Sequence, residues 1–193
     1  MTEYWMLTWP TAGRTVQVAK LCEASGWDGL LVTDTQCLAA EAFVQLSLCV
    51  AATTRLKLGT GVTNPVTRDA AVLASAFATL QQESGGRMTL GIGRGDSSLA
   101  HIGAAPAPIA VLESFIVRVQ RYLRGETVER NGFPSRLHAL SAQPKVPVDV
   151  AGTGKRVIAL AARHADGLTL AVGANPARIG ATVREAESAL AAA

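Results

Sequence analysis

Six times along the 193 residues a short, nearly continuous apolar run is followed by a stretch whose apolar residues recur at helical spacing. The runs are Tyr4–Trp9, Gly29–Thr33, Leu56–Thr63, Met88–Ile92, Val146–Val150 and Leu168–Val172. The stretches that follow them are Arg14–Ser25, Glu41–Ala52, Asp69–Gln82, Pro108–Leu123, Arg156–His164 and Pro176–Ala192. Gly26, Gly85 and Gly125 stand where three of the helical patterns stop, as glycine does past a helix C-terminus. Runs apolar on both faces are strands covered on both sides, and strands separated by helices pair in parallel through right-handed crossovers. The chain therefore reads as α/β, one domain over residues 1–193. Composition agrees: only 17% of residues are charged, below the roughly 25% of an ordinary domain, so many elements are covered on more than one side.

One segment breaks the even spacing. Glu126 to Lys145 is a polar insertion, with a hairpin expected around the turn dipeptide Asn131-Gly132. Two architectures are built from repeated βα units, the doubly wound sheet and the (β/α)8 barrel. A complete barrel takes about 250 residues, so a barrel reading of this chain is a TIM-type barrel truncated to six units.

Charge and cysteine usage exclude several function classes. The formal charge of +3 is spread along the chain with no basic run, which speaks against nucleic acid and against an anionic membrane surface. No stretch approaches the roughly 18 apolar residues of a spanning helix, and the N-terminal residues lack a secretory pattern. Cys22, Cys37 and Cys49 form no C-x-x-C, and no two histidines have ligand spacing, so neither disulfide framework nor metal site is expected. Cys22 and Cys49 fall in apolar helical patterns and read as buried, Cys37 on a polar stretch. A reducing cytoplasm is the expected compartment.

Nearly every glycine cluster and polar oddity follows a strand, on the face where parallel α/β folds carry ligands. Asp34-Thr35-Gln36 follows the second run, Gly61-Val62-Thr63-Asn64-Pro65 ends the third, and Gly93-Arg94-Gly95-Asp96-Ser97-Ser98 follows the fourth. Turn chemistry alone accounts for about half of these residues. It does not account for the cations. Gly152-Thr153-Gly154-Lys155-Arg156 opens a helix directly after a strand, which aims backbone N–H groups and the helix dipole at an anion such as phosphate. A plain tight turn is the competing reading. In the Gly93–Ser98 loop, glycines allow close approach of a flat or anionic ligand and Arg94 neutralises charge. Asp96 either relays a proton or caps a helix. His101, His138 and His164 read as helix surface, solvated loop and helix end.

The stretch Leu58–Gly103, with Asp28–Gln36 and Val146–Ile179, resembles the luciferase-like monooxygenase superfamily, and most its branch using the deazaflavin coenzyme F-420. The resemblance implies a (β/α)8 barrel, often dimeric, that binds a tricyclic ring at its C-terminal face and acts on a small-molecule substrate. It places a non-prolyl cis peptide at Gly61-Val62 behind the ring, with Thr63 beside it. It gives Gly93, Arg94 and Gly95 to the cofactor, and Gly152, Thr153 and Gly154 to its phosphate, with Lys155 next to them as the cation of the turn. It matches Asp34 to an active-site acidic position, so Asp34 and, from the loop reading above, Asp96 are the catalytic candidates. Thr35 stands where many members have histidine. The implied activity is hydride transfer between coenzyme F-420 and a small organic molecule. FMN-dependent monooxygenation is the alternative within the family, and a truncated, non-catalytic barrel the alternative outside it. The family adds two further βα units, so open edges are expected at the first and sixth strands.

Overall fold

A computed structural model of the chain describes residues 2–139 and 144–193. Six strands, β1 (Trp5–Thr8), β2 (Gly29–Val32), β3 (Lys57–Thr60), β4 (Met88–Ile92), β7 (Val148–Ala151) and β8 (Gly167–Thr169), form one parallel sheet in the order β1-β2-β3-β4-β7-β8. The strands thus lie side by side in chain order. Between them run α1 (Thr15–Ala24), α2 (Ala42–Ala52), α3 (Ala70–Glu83), α5 (Ile109–Leu123) and α6 (Lys155–His164), with α7 (Pro176–Ala191) after β8. A one-turn helix, α4 (Ser97–Ala100), lies in the loop after β4 and has no counterpart in the sequence reading. The sheet curls into an open trough whose edges, β1 and β8, do not pair with each other among the described residues.

Two strands stop three residues before their apolar runs do. β3 ends at Thr60 rather than Thr63, because the ladder gives way where Val62 turns onto the inner face; Thr63 keeps only an isolated bridge to Ile92. β8 ends at Thr169 rather than Val172, because its single neighbour β7 ends at Ala151, its register partner. The expected hairpin is present as β5 (Val128–Arg130) and β6 (Phe133–Ser135), with Asn131 and Gly132 both at positive φ, as a type I′ turn demands. Positions 140–143 of that insertion lie outside the described residues.

Period 2 along the strands divides two kinds of side chain. The convex face carries Leu30, Val32, Leu58, Leu90, Ile92, Val148 and Val150, all buried under the helices in the main apolar cluster with Phe77 and Phe115. The concave face of β3 and β4 is built largely without side chains. In Leu58-Gly59-Thr60-Gly61 and Leu90-Gly91-Ile92-Gly93 every second residue is glycine, and a Cβ at Gly91 would sit 2.1 Å from the Thr60 carbonyl oxygen. A Cβ at Gly93 would lie 2.8 Å from Val62 Cγ2, so these glycines make room for the Val62 side chain above the sheet. The trough encloses a cavity of about 650 Å³ bordered by Trp5, Leu31, Thr89, Asp149 and Thr169.

At the N-terminal end of the sheet, Arg87 donates to the carbonyl oxygens of Val50, Thr53, Leu56 and Ser84, tying β3 and β4 to α2 and α3. Glu23 accepts from the N–H groups of Thr54, Arg55 and Leu56. These contacts fix the end opposite the ligand-binding face.

Candidate active site

The loops at the C-terminal ends of β1–β4, β7 and β8 enclose a second cavity, of about 860 Å³, within the range of sites for drug-sized ligands. Its wall contains Asp34, Gly61, Val62, Gly93, Arg94, Gly95, Asp96, Gly152, Thr153, Gly154 and Lys155. Of the catalytic and cofactor-binding candidates, Thr63 alone is not in the wall; it lies behind it, fully buried, and its hydroxyl donates to Asp34 Oδ2 at 2.7 Å. Trp9, Thr33, Thr35, Ile109 and Arg156 complete much of the lining.

One wall is cationic and unpaired. Gly154 is the N-cap of α6 and brings no side chain to the orphan N–H groups of the first turn. Lys155 and Arg156, in that turn, make no ion pair among the described residues, and a Cβ built at Gly154 meets nothing within 4 Å. The cradle is thus open, N–H-rich and positive. Arg94 faces the same cavity, its Nε donating to the Ala107 carbonyl oxygen at 2.7 Å while Ala107 N–H donates back to the Arg94 carbonyl. That reciprocal pair fixes the arginine without neutralising it.

Two carboxylates, Asp34 and Asp96, border the same cavity. Asp34, only 2% exposed, accepts from Arg68 Nε at 3.0 Å and Arg68 Nη2 at 2.7 Å, from Gln36 Nε2 at 2.7 Å and from the Thr63 hydroxyl. Its four lone-pair directions are therefore filled by protein donors. Asp96 is the reverse case: exposed, at the N-cap position of α4, with no side-chain cap and no other hydrogen bond among the described residues. Its capping role is not realised. Between them the peptide Gly61-Val62 is cis, at the position the resemblance gives. Gly95, at φ 84°, turns the Asp96 loop inward; a Cβ there would press within 2.9 Å of Asn64.

Below this cavity, on the trough floor, Asp149 accepts from the Thr169 hydroxyl, and burial pushes its carboxyl above the ordinary range against the pull of that bond. His101 and His138 are exposed, and His164 closes α6 with its Nε2 3.0 Å from Glu113, so none of the three enters the site. No cluster of metal-ligating side chains exists among the described residues.

Sequence reasoning missed Arg68 and Glu41. Arg68 comes three residues after the strand-end segment closed by Pro65, and directly before Asp69, whose cap of α3 is the more conspicuous signal. The signal that could have found it is a lone arginine in a loop otherwise free of charge before that cap. Glu41 caps α2 through Val44 N–H and also pairs with Arg68.

The chain is a parallel α/β trough whose strand-end cavity is bordered by an uncapped helix N-terminus carrying Lys155 and Arg156 and by the buried carboxylate of Asp34. The sequence model of the luciferase-like monooxygenases matches residues 3–193, and the chain belongs to that family. It is 33% identical over 158 residues to the 5,10-methylenetetrahydromethanopterin reductase of Methanolobus tindarius, covering 79% of this chain and 48% of that protein. It is 34% identical over 164 residues to the F-420-dependent glucose-6-phosphate dehydrogenase of Beutenbergia cavernae, covering 76% of this chain and 49% of that one. The chain thus spans about half the length of the curated relatives it matches. Among solved structures, the coenzyme F-420-dependent tetrahydromethanopterin reductase of Methanopyrus kandleri superposes with a TM-score of 0.82 at 22% identity, over 98% of this chain and 61% of the other. That likeness is one of fold.

Proposed function

We propose that this chain carries the coenzyme site of an F-420-linked oxidoreductase, one that transfers hydride between the deazaflavin and a small organic molecule. The observation that carries the reading is the cavity itself, which brings the cationic α6 N-terminus, Arg94 and the Val62 bulge to a single space. The open cradle at Gly154 and the unpaired Lys155 and Arg156 fit a phosphate-bearing tail. The two named relatives are a reductase and an F-420-dependent dehydrogenase by name, which supports a redox reading.

A deazaflavin held here supplies a carbon that accepts or donates hydride, and the chain supplies placement and charge. Val62, set above Gly91 and Gly93, gives the ring an apolar backing, while Gly93 and Gly95 let backbone approach it. Thr153, Lys155 and Arg156 hold the tail. Arg94 compensates anionic charge on the ring side of the cavity. Asp96, exposed and without a partner, is the carboxylate free to exchange a proton at its Oδ atoms; Asp34, saturated by donors, contributes a fixed charge and no free acceptor.

The test is a titration with oxidised coenzyme F-420 and, in parallel, FMN, followed by the fluorescence of Trp5, Trp9 and Trp27 and of the ligand. Saturable binding of the deazaflavin in preference to FMN is expected. Preference for FMN moves the chain to the monooxygenase side of the family, and binding of neither removes the coenzyme reading. Replacing Arg94 by alanine is expected to weaken the deazaflavin roughly tenfold, the scale of one lost charge contact; unchanged affinity removes the role given to Arg94.

A further inference from the structure

We propose that Arg68 is a positioning residue of this site, acting on a bound coenzyme solely through Asp34; the inference rests on the coenzyme reading above. Arg68 is not in the wall of the large cavity. It borders a separate recess of about 230 Å³ on the far side of Asp34, and Asp34 belongs to the walls of both spaces. A ligand in the large cavity therefore meets Asp34 and not the guanidinium.

The guanidinium is fixed from three directions. Its fork holds both oxygens of Asp34, Nη2 also pairs with Glu41, and its plane rests on the Phe43 ring with 4.1 Å between Cζ and the ring centroid. Phe43 in turn packs edge-on against the buried Phe77 at 5.5 Å, so the chain of contacts ends in the core. Glu41 is itself anchored as the cap of α2. A planar fork with this many constraints sets the orientation of the carboxylate as well as its charge. Lysine cannot repeat it, because one ammonium cannot span both oxygens and reach Glu41 in the same plane.

The experiment is a double-substitution cycle on the full chain: Asp34→Asn, Arg68→Met and the two together, each titrated with coenzyme F-420 while the absorption band of the bound coenzyme and the melting temperature are recorded. Each single change is expected to weaken binding by roughly tenfold and to shift the bound coenzyme's band in the same direction. The double variant is expected to bind no more weakly than Asp34→Asn alone, since once the carboxylate is gone Arg68 has nothing to act through. Should Arg68→Met fail to fold, Arg68→Lys takes its place in the cycle, keeping charge and losing the fork; it is expected to behave like the Met variant rather than like the unaltered protein. A lowered melting temperature with affinity and absorption band unchanged overturns the proposal in favour of a purely structural arginine. Losses that multiply in the double variant overturn it as well. If the unaltered protein binds no coenzyme, it is the reading of the function that fails, and this inference with it; normal binding by the unaltered protein with either of the two overturning results sinks the Arg68 proposal alone.

Discussion

Two carboxylates border one cavity with opposite freedom, and their burial decides which can do chemistry. Asp96, without hydrogen-bond partners, should lose proton exchange when changed to Asn while the coenzyme still binds; a turnover assay beside the titration separates the two effects. Asp149 tests electrostatics below the site. Its folded-state pKa lies above its unfolded value because of burial, opposed by the Thr169 bond. A raised pKa means stability that is complete below the unfolded value and lost as pH rises through the folded one. Asp149→Asn should therefore raise the melting temperature at pH 7, and the gain should vanish in acid near pH 3, close to the unfolded carboxyl's own range; equal gains at both pH values would refute the assignment. Among the thiols, Cys37 is exposed, whereas Cys22 and Cys49 are buried and burial pushes Cys49 up to about 11. One thiol should react with Ellman's reagent in the native protein and three in denaturant. The thiol environments were legible in the sequence, because a cysteine in a helical apolar pattern has one place to go. The Asp34–Arg68 pair was not, because an ion pair across two loops leaves no periodicity to read.

At the scale of elements, the helix N-terminus and the glycine rows make opposed predictions about single glycines. Gly154→Asp gives α6 the cap and first-turn charge it lacks, so stability should rise by a few tenths of a kcal/mol or more. The same carboxylate takes the N–H groups and repels phosphate, so coenzyme affinity should fall. Thermal melting and titration of the same sample check both halves. Gly91→Ala has no such compensation: with a backbone oxygen 2.1 Å from the new Cβ, β3 and β4 must separate, at an expected cost of about 1–3 kcal/mol in denaturant melts. Strand and helix order was readable from period and turn residues, down to the Asn131-Gly132 hairpin. Lost in that reading were the early ends of β3 and β8, which depend on where a neighbouring strand stops, and α4, too short to show a period.

For the molecule as a whole, helical faces outside the site remain apolar: Val44, Leu48 and Val72 on α2 and α3 are 55%, 48% and 64% exposed. An exposed apolar surface of this kind favours self-association, so light scattering is expected to return more than one chain per particle; a monomer at all concentrations would contradict the homo-oligomer expected from the family. Unit count and parallel architecture were visible in period and turn residues, whereas the open edges at β1 and β8 were expected only through the family resemblance, since pairing between the first and last strands is a property of no local segment.

Strand order that repeats chain order has a bearing on synthesis. Each strand leaving the ribosome finds its partner already made, beside the strand before it, so the sheet can extend from one side without waiting for distant sequence. By the time Glu83 has emerged, Asp34, Thr63 and Arg68 are all available, and their hydrogen-bonded group can assemble; the segment Gly152–Arg156 is made some seventy residues later. A nascent chain would therefore complete the Asp34–Arg68 pair well before Lys155 and Arg156 stand at the start of α6, across the same end of the sheet.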